Sequence, residues 1–292
     1  MSMGLRLKFL LILIVSFLIA LGASSIVFYR VSKESALERL HAQIAVLRAE
    51  ALAVRSYTSE EIKPLLSDMS NVQFLPQIVP SFSAQTTFNK FRDHFPDFYY
   101  KEAALNPTNP SDLATPWEAE MINRLRNDAS QSEVVSIREG DKGRQYTVAF
   151  PLAIKAEACL SCHSTPDKAP TSMTALYGDK NGFGWKLNEV IGAQIFSVPI
   201  ESAERQIWDN LLLLIGAMSA IFLALLVLIT VLLRWMVVTP VIAMADIAER
   251  VSMGDSSQPE YVHPGSDEIS SLSRSFNRMR RSLDNALKML ET

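Results

Sequence analysis

Apolar residues along the chain follow three different rhythms. Two stretches, Phe9 to Tyr29 and Leu211 to Leu233, are apolar throughout and carry no charge. Each is long enough to cross a bilayer, which takes about 20 residues at 1.5 Å rise, and in lipid such a segment must be helical to satisfy its own amides. After the first run, Leu37, Leu40, Ile44, Leu47, Ala51 and Val54 alternate at intervals of three and four. That spacing predicts an amphipathic helix from Ser32 to Ser56. Joined to the apolar run, it gives one helical rod about 70 Å long. Near the C-terminus Ile269, Leu272, Phe276, Met279, Leu283, Ala286 and Leu290 keep a strict a/d spacing, the seam of a coiled coil.

Between these helical segments the period changes. Pro64, Pro76 and Pro80 are expected to break residues 60–80 into short pieces, and the prolines of Asn106-Pro107-Thr108-Asn109-Pro110 mark a loop. A helix fits Trp117 to Arg126. Val134 to Ile137 and Tyr146 to Ile154 read as two strands of a hairpin around Glu139-Gly140-Asp141-Lys142-Gly143, and Val190 to Val198 as a further strand. Helices followed by antiparallel strands describe an α+β module between two transmembrane helices, with an α-helical coiled coil after the second.

Small residues Ala20 to Ser25 make a cleavable signal peptide the rival of a first span, but apolar sequence continues through Phe28 and a helical pattern follows at once. Orientation rests on basic residues. Arg6 and Lys8 balance Arg30 and Lys33, whereas Arg234, Arg250, Arg274, Arg278, Arg280 and Arg281 follow the second span, with only Arg205 near its start. The expected arrangement has residues 1–8 in the cytoplasm, 9–29 as the first span, 30–208 outside, 211–233 as the second span and 234–292 in the cytoplasm. For a bacterial inner membrane the module is then periplasmic. The hydrophobic fraction of 48% agrees with a membrane protein. With 28 basic against 31 acidic residues there is no basic excess to bind nucleic acid.

The two cysteines of the chain fall together in Cys159-Leu160-Ser161-Cys162-His163. C-x-x-C-H is the attachment pattern of haem c. Thiols one helical turn apart can reach the two vinyl groups of one porphyrin, and the adjoining histidine becomes the proximal iron ligand. Three alternatives stand beside this reading. A zinc site wants four ligands, and no second Cys/His cluster exists; a redox dithiol wants a βαβ setting; a disulfide would close a very small loop. A single covalent haem c held by Cys159, Cys162 and His163 is the expectation.

The sixth iron position is open. His94 is a possible distal ligand; Met69, Met173 and Tyr57 are comparable candidates. His41, outside the apolar stripe, is expected to face solvent, and His263 to be structural or exposed.

The runs YKEAALNPTNPSDLATPWEAE (Tyr100 to Glu120), FPLAIKAEACLSCH and YGDKNGFGWKLNEVIGAQIFSVPI (Tyr177 to Ile200) resemble the c-type haem family of membrane sensor domains over residues 30–205. The resemblance implies a PAS-like fold, covalent haem, and a place ahead of HAMP and kinase, cyclase or chemotaxis outputs. Residues 234–287, with Pro240, Gly254 and Glu268, resemble a HAMP domain, which implies a homodimer. The sequence ends at Thr292, just past the seam, so the output is expected from a separate cytoplasmic kinase, cyclase or chemotaxis-type protein, unless this is a shortened receptor. The expected function is a haem sensor of redox state or a diatomic gas. The alternative is a membrane-anchored monohaem cytochrome c electron carrier with a redox partner. No distal His and Arg arrangement of peroxide chemistry can be read, so no enzyme is expected.

Overall fold

The computed structural model describes residues 5–140, 143–255 and 257–290. In chain order the elements are α1 (Leu5–Tyr57), α2 (Lys63–Val72), α3 (Pro80–Phe91), β1 (Tyr99–Ala104), α4 (Pro116–Asn127), β2 (Val134–Gly140), β3 (Gly143–Ala153), α5 (Glu157–His163), α6 (Thr171–Tyr177), β4 (Val190–Pro199), α7 (Glu201–Leu233), α8 (Thr239–Ser252) and α9 (Glu268–Leu290). They fall into two units, residues 27–211 and residues 5–26 with 212–290.

The first unit is the expected mixed helix-and-sheet module. Its sheet is wholly antiparallel, in the order β1-β4-β3-β2. The expected hairpin pairs Val134 with Ala149 through to Gly140 with Gly143, and its turn residues Asp141 and Lys142 lie outside the described residues. Alternation gives the sheet two apolar faces. On one, Tyr100, Val148, Phe150, Phe196 and Val198 pack under Leu40, Ile44 and Ala51 of α1 and Ala84 and Phe88 of α3. The stripe predicted along α1 is therefore the seam that seats this helix on the sheet. On the other face Ala103, Val134, Ala149, Ala193 and Ile195 lie under Met121, Ile122 and Leu125 of α4. Each buried side chain of Leu, Ile or Phe size contributes about 1.5–3 kcal/mol.

Three expectations change. The prolines before residue 81 begin helices rather than break them: Pro64 sits in the first turn of α2 and Pro80 in that of α3, where the missing N–H is not needed. Residues 99–104 form a strand that the sequence pattern did not reveal, because Lys101 and Glu102 interrupt its apolar alternation. His41 does not simply face solvent; its Nδ1 lies 3.3 Å from the Tyr146 hydroxyl and its Nε2 3.6 Å from Glu133.

In the second unit α1 and α7 each carry a segment long and apolar enough to cross a membrane, with its side chains turned outward. Phe17 and Phe222 stack with ring centres 3.9 Å apart. A π-helical turn, Arg234–Val238, joins α7 to α8. Gly254, at φ +94°, follows the end of α8 as expected. Asp267 caps α9 by accepting from the Ser270 N–H at 2.8 Å. Ser273, Asn277 and Arg280 turn inward to donate to the carbonyls of Tyr261 and Pro259. His263 is half-buried, its ring parallel to that of Tyr261. Of the expected seam, Leu272 is 49% and Met279 64% exposed in the single chain. The side chain of Leu290, its last position, lies outside the described residues.

Candidate cofactor site

The thiol motif forms α5, on an excursion between β3 and β4 that is closed at its base by Ile154 N–H to Glu189 O (3.0 Å) and Asn188 N–H to Ile154 O (2.8 Å). On a helical turn, residues three apart share a face, so Cys159 and Cys162 stand one above the other. Both thiols are unbridged and half-exposed.

The returning chain, residues 182–185, backs onto the end of α5. Gly184 N–H donates to Ser164 O at 2.9 Å and Trp185 N–H to His163 O at 3.3 Å, satisfying carbonyls that a helix end leaves orphaned. The Trp185 indole stacks on the His163 imidazole with centres 4.0 Å apart and planes 15° from parallel. His163 Nδ1 lies 2.8 Å from the Gly182 carbonyl and 3.3 Å from Thr108 Oγ1. A carbonyl can only accept, so Nδ1 carries the proton and Nε2 keeps its lone pair for a metal. Burial pushes the imidazole pKa below its ordinary value, the Gly182 bond acting the other way, which favours the neutral, metal-binding form.

Two further segments hold this arrangement. Asn106 accepts from Gly182 N–H at 3.3 Å, fixing the returning chain to the loop after β1. Gly182 has φ +82°, and a Cβ there would lie 2.8 Å from Thr108 Cα, so both conformation and crowding require glycine. Downstream, α6 is tied to α2 through Ser172 Oγ to Ser70 O at 2.7 Å and by the Phe74 and Tyr177 rings.

The residues fit a covalent haem. The donor set is two aligned thiols and an imidazole with an oriented Nε2, and the Ser164 hydroxyl beside them is buried with no hydrogen-bond partner. Among the described residues, no three His, Cys, Asp or Glu side chains gather as a metal cluster, and the antiparallel sheet does not provide the βαβ setting of a redox dithiol. His94 is not brought to the motif. It is exposed in the turn before β1, whereas the motif adjoins the loop after β1, so six residues of strand, about 20 Å, separate them. Met173 is packed inside, while Met69 and Tyr57 are exposed.

Asn106, Thr108, Gly182 and Trp185 were not singled out by sequence reasoning. Their signal was the clustering of Gly178, Gly182 and Gly184 with Phe183 and Trp185, a turn-rich segment with two large rings.

A membrane-anchored sensory module with a coiled-coil relay defines a class, the membrane signal transducers. Residues 33–199, more than half of the chain, match the Tll0287-like family, and the chain belongs to it. Residues 232–285 match the HAMP domain. Among solved structures, that of the cyanobacterial haem protein Tll0287 is similar over 54% of this chain and 93% of that one, at 13% identity and a TM-score of 0.42. No curated protein matches the chain. A Tll0287-like domain followed by HAMP points to a sensor rather than an enzyme.

Proposed function

We propose that the chain is a dimeric membrane receptor in which Cys159 and Cys162 hold one haem c by thioether bonds and His163 supplies the proximal iron ligand through Nε2. The observation that carries this reading is the orientation of His163, with Nδ1 engaged by Gly182 and the ring stacked on Trp185, beside two aligned thiols. When bound, the haem supplies an iron whose charge and sixth ligand respond to redox state or to a diatomic gas. His94 has no part in this assignment, which leaves that sixth position for a small ligand or a side chain that moves.

The supporting topology puts residues 1–8 and 234–292 in the cytoplasm, 9–29 and 211–233 in a bacterial inner membrane, and 30–208 in the periplasm. The arginines after the second span support it. Within the periplasmic module the motif has a short route to α1. Asn106 and Thr108 grip residue 182 and His163, and four residues before Asn106 the buried Glu102 of β1 pairs with Arg55 of α1. A shift of the 182–185 segment therefore acts on β1 and on α1. HAMP is the bistable element that such a shift would bias, passing the change to a separate cytoplasmic kinase, cyclase or chemotaxis-type protein.

The half-exposed setting of both thiols also suits a second reading, a membrane-anchored monohaem cytochrome that passes electrons to a redox partner. Two measurements test these readings. The matured protein should gain the mass of one haem and keep its colour through acid-acetone extraction, and Cys159→Ala with Cys162→Ala should abolish both; a colourless or extractable wild type defeats the assignment. Cysteines placed at 272 and 279 and joined by a thiol-specific bifunctional reagent should cross-link differently in oxidised and reduced protein. Identical patterns would favour the carrier.

A further inference from the structure

On the α4 face of the sheet the rows change character towards the start of β1. The row of Val134, Ala149 and Ile195 is apolar and covered by α4. The next row is Ser136, Thr147, Ser197 and Tyr99, and the one after it brings Arg138 beside Gln145. There the face opens into a cavity of about 550 Å³, within the range of small-molecule pockets. Arg92 and Arg138 both line it.

Neither guanidinium has a carboxylate partner among the described residues. Arg92 Nε is buried and makes no hydrogen bond. Arg138 lies over the Trp117 ring at 3.6 Å, a contact that leaves its N–H edge free. The buried carboxylate nearby cannot neutralise them, because Glu118 already accepts from Tyr99 Oη at 2.6 Å, Lys101 Nζ at 3.0 Å and Thr115 N at 2.7 Å. A buried donor left unmade costs about 1–3 kcal/mol, more when charged, so two unpaired arginines in one cavity call for an anion. The remaining wall is aromatic: Phe98, Tyr99 and Trp117. Tyr99 and Trp117 have ring centres 6.3 Å apart. A hydrated inorganic anion gains little from such a wall, whereas an aromatic ring gains both area and stacking.

We infer that this cavity binds an aromatic carboxylate, its carboxyl group held by Arg92 and Arg138 and its ring lying among Phe98, Tyr99 and Trp117. The site lies at the end of β1 remote from the thiol motif and gives the periplasmic module a second, chemical input. The planar fork of arginine matches a carboxylate with paired bonds, which a lysine cannot reproduce.

The test is isothermal titration calorimetry on the full chain in lipid nanodiscs, with benzoate as probe and benzamide and inorganic phosphate as controls. Benzoate should bind saturably at one site per chain, and the controls should give no saturable heat. Arg92→Met and Arg138→Met should each weaken benzoate by about tenfold or more, and Arg138→Lys should fall between wild type and Arg138→Met. Unchanged thermal unfolding of Arg138→Lys separates lost binding from lost folding. No benzoate binding in wild type, undiminished binding in the Arg92→Met/Arg138→Met double variant, or phosphate competing as well as benzoate would each overturn the assignment.

Discussion

At residue 182 a single hydrogen atom decides how the motif histidine is held. The carbonyl of Gly182 fixes the His163 tautomer, and its Cα packs against Thr108 in a left-handed conformation. Gly182→Ala adds a backbone penalty of about 1–2 kcal/mol and a collision that must push the two loops apart. The expected outcome is a matured protein with substoichiometric haem and a displaced reduced spectrum, read by pyridine haemochrome against total protein. Thr108→Val, which leaves the Gly182 bond in place, should cost only about 0.5–1.5 kcal/mol and keep the haem. Equal haem loading in Gly182→Ala and wild type would remove the glycine from this role.

A second residue-scale consequence concerns Glu118, fully buried in the first turn of α4. Burial alone would raise its carboxyl pKa, but the bonds from Tyr99, Thr115 N–H and Lys101 together outweigh it and hold the pKa below the usual glutamate value. A carboxylate depressed on folding stabilises above its unfolded pKa, and that stability is lost as pH falls through the folded one. Chemical denaturation should therefore show an acid-side loss below the ordinary glutamate range. Glu118→Gln should weaken that limb and, by leaving Lys101 unpaired, cost about 3 kcal/mol at neutral pH.

At the scale of elements, α1 is fastened to the sheet by an apolar stripe and by one buried pair. Glu102 receives bonds from Arg55, from Tyr100 and, at 3.2 Å, from Gln194, so this carboxylate gathers α1, β1 and β4. Arg55→Met leaves its charge buried without a counterion and should destabilise the module by about 3–5 kcal/mol. Adding Glu102→Gln should recover a large part of that loss, giving a coupling energy well outside additivity. Strictly additive effects in denaturant titrations would show that the pair does not hold α1 in place. The stripe of α1 was legible in the sequence because helix periodicity and burial agree there. β1 was not, because Lys101 and Glu102 have their partners on α4 and α1, so their polarity reflects tertiary pairing rather than exposure. The same limit applies to the site: Cys159, Cys162 and His163 stand out as a spaced motif, whereas Thr108 and Gly182 matter only because the chain returns to them from 55 and 19 residues away.

At the scale of the whole molecule, the seam of α9 and the π turn before α8 belong to one relay. Leu272 and Met279 stand exposed in the single chain, while Ser273, Asn277 and Arg280 on the neighbouring face are satisfied by their own connector. The apolar face is therefore the one left for the second copy that a HAMP bundle requires. Leu272→Glu with Met279→Glu should abolish cross-linking between copies without unfolding the periplasmic module. The junction above it is more delicate. Arg234–Val238 is wound with i to i+5 bonds, so it carries an extra residue relative to an α-helical turn. Removing Val237 should restore α-helical winding and rotate everything after it by about 100°, since each residue advances the helix by 360° divided by 3.6. Seam cysteines would then cross-link in a new pattern that no longer changes with the state of the periplasmic module. If redox-dependent differences survive the deletion unaltered, signal does not travel as a rotation through this turn.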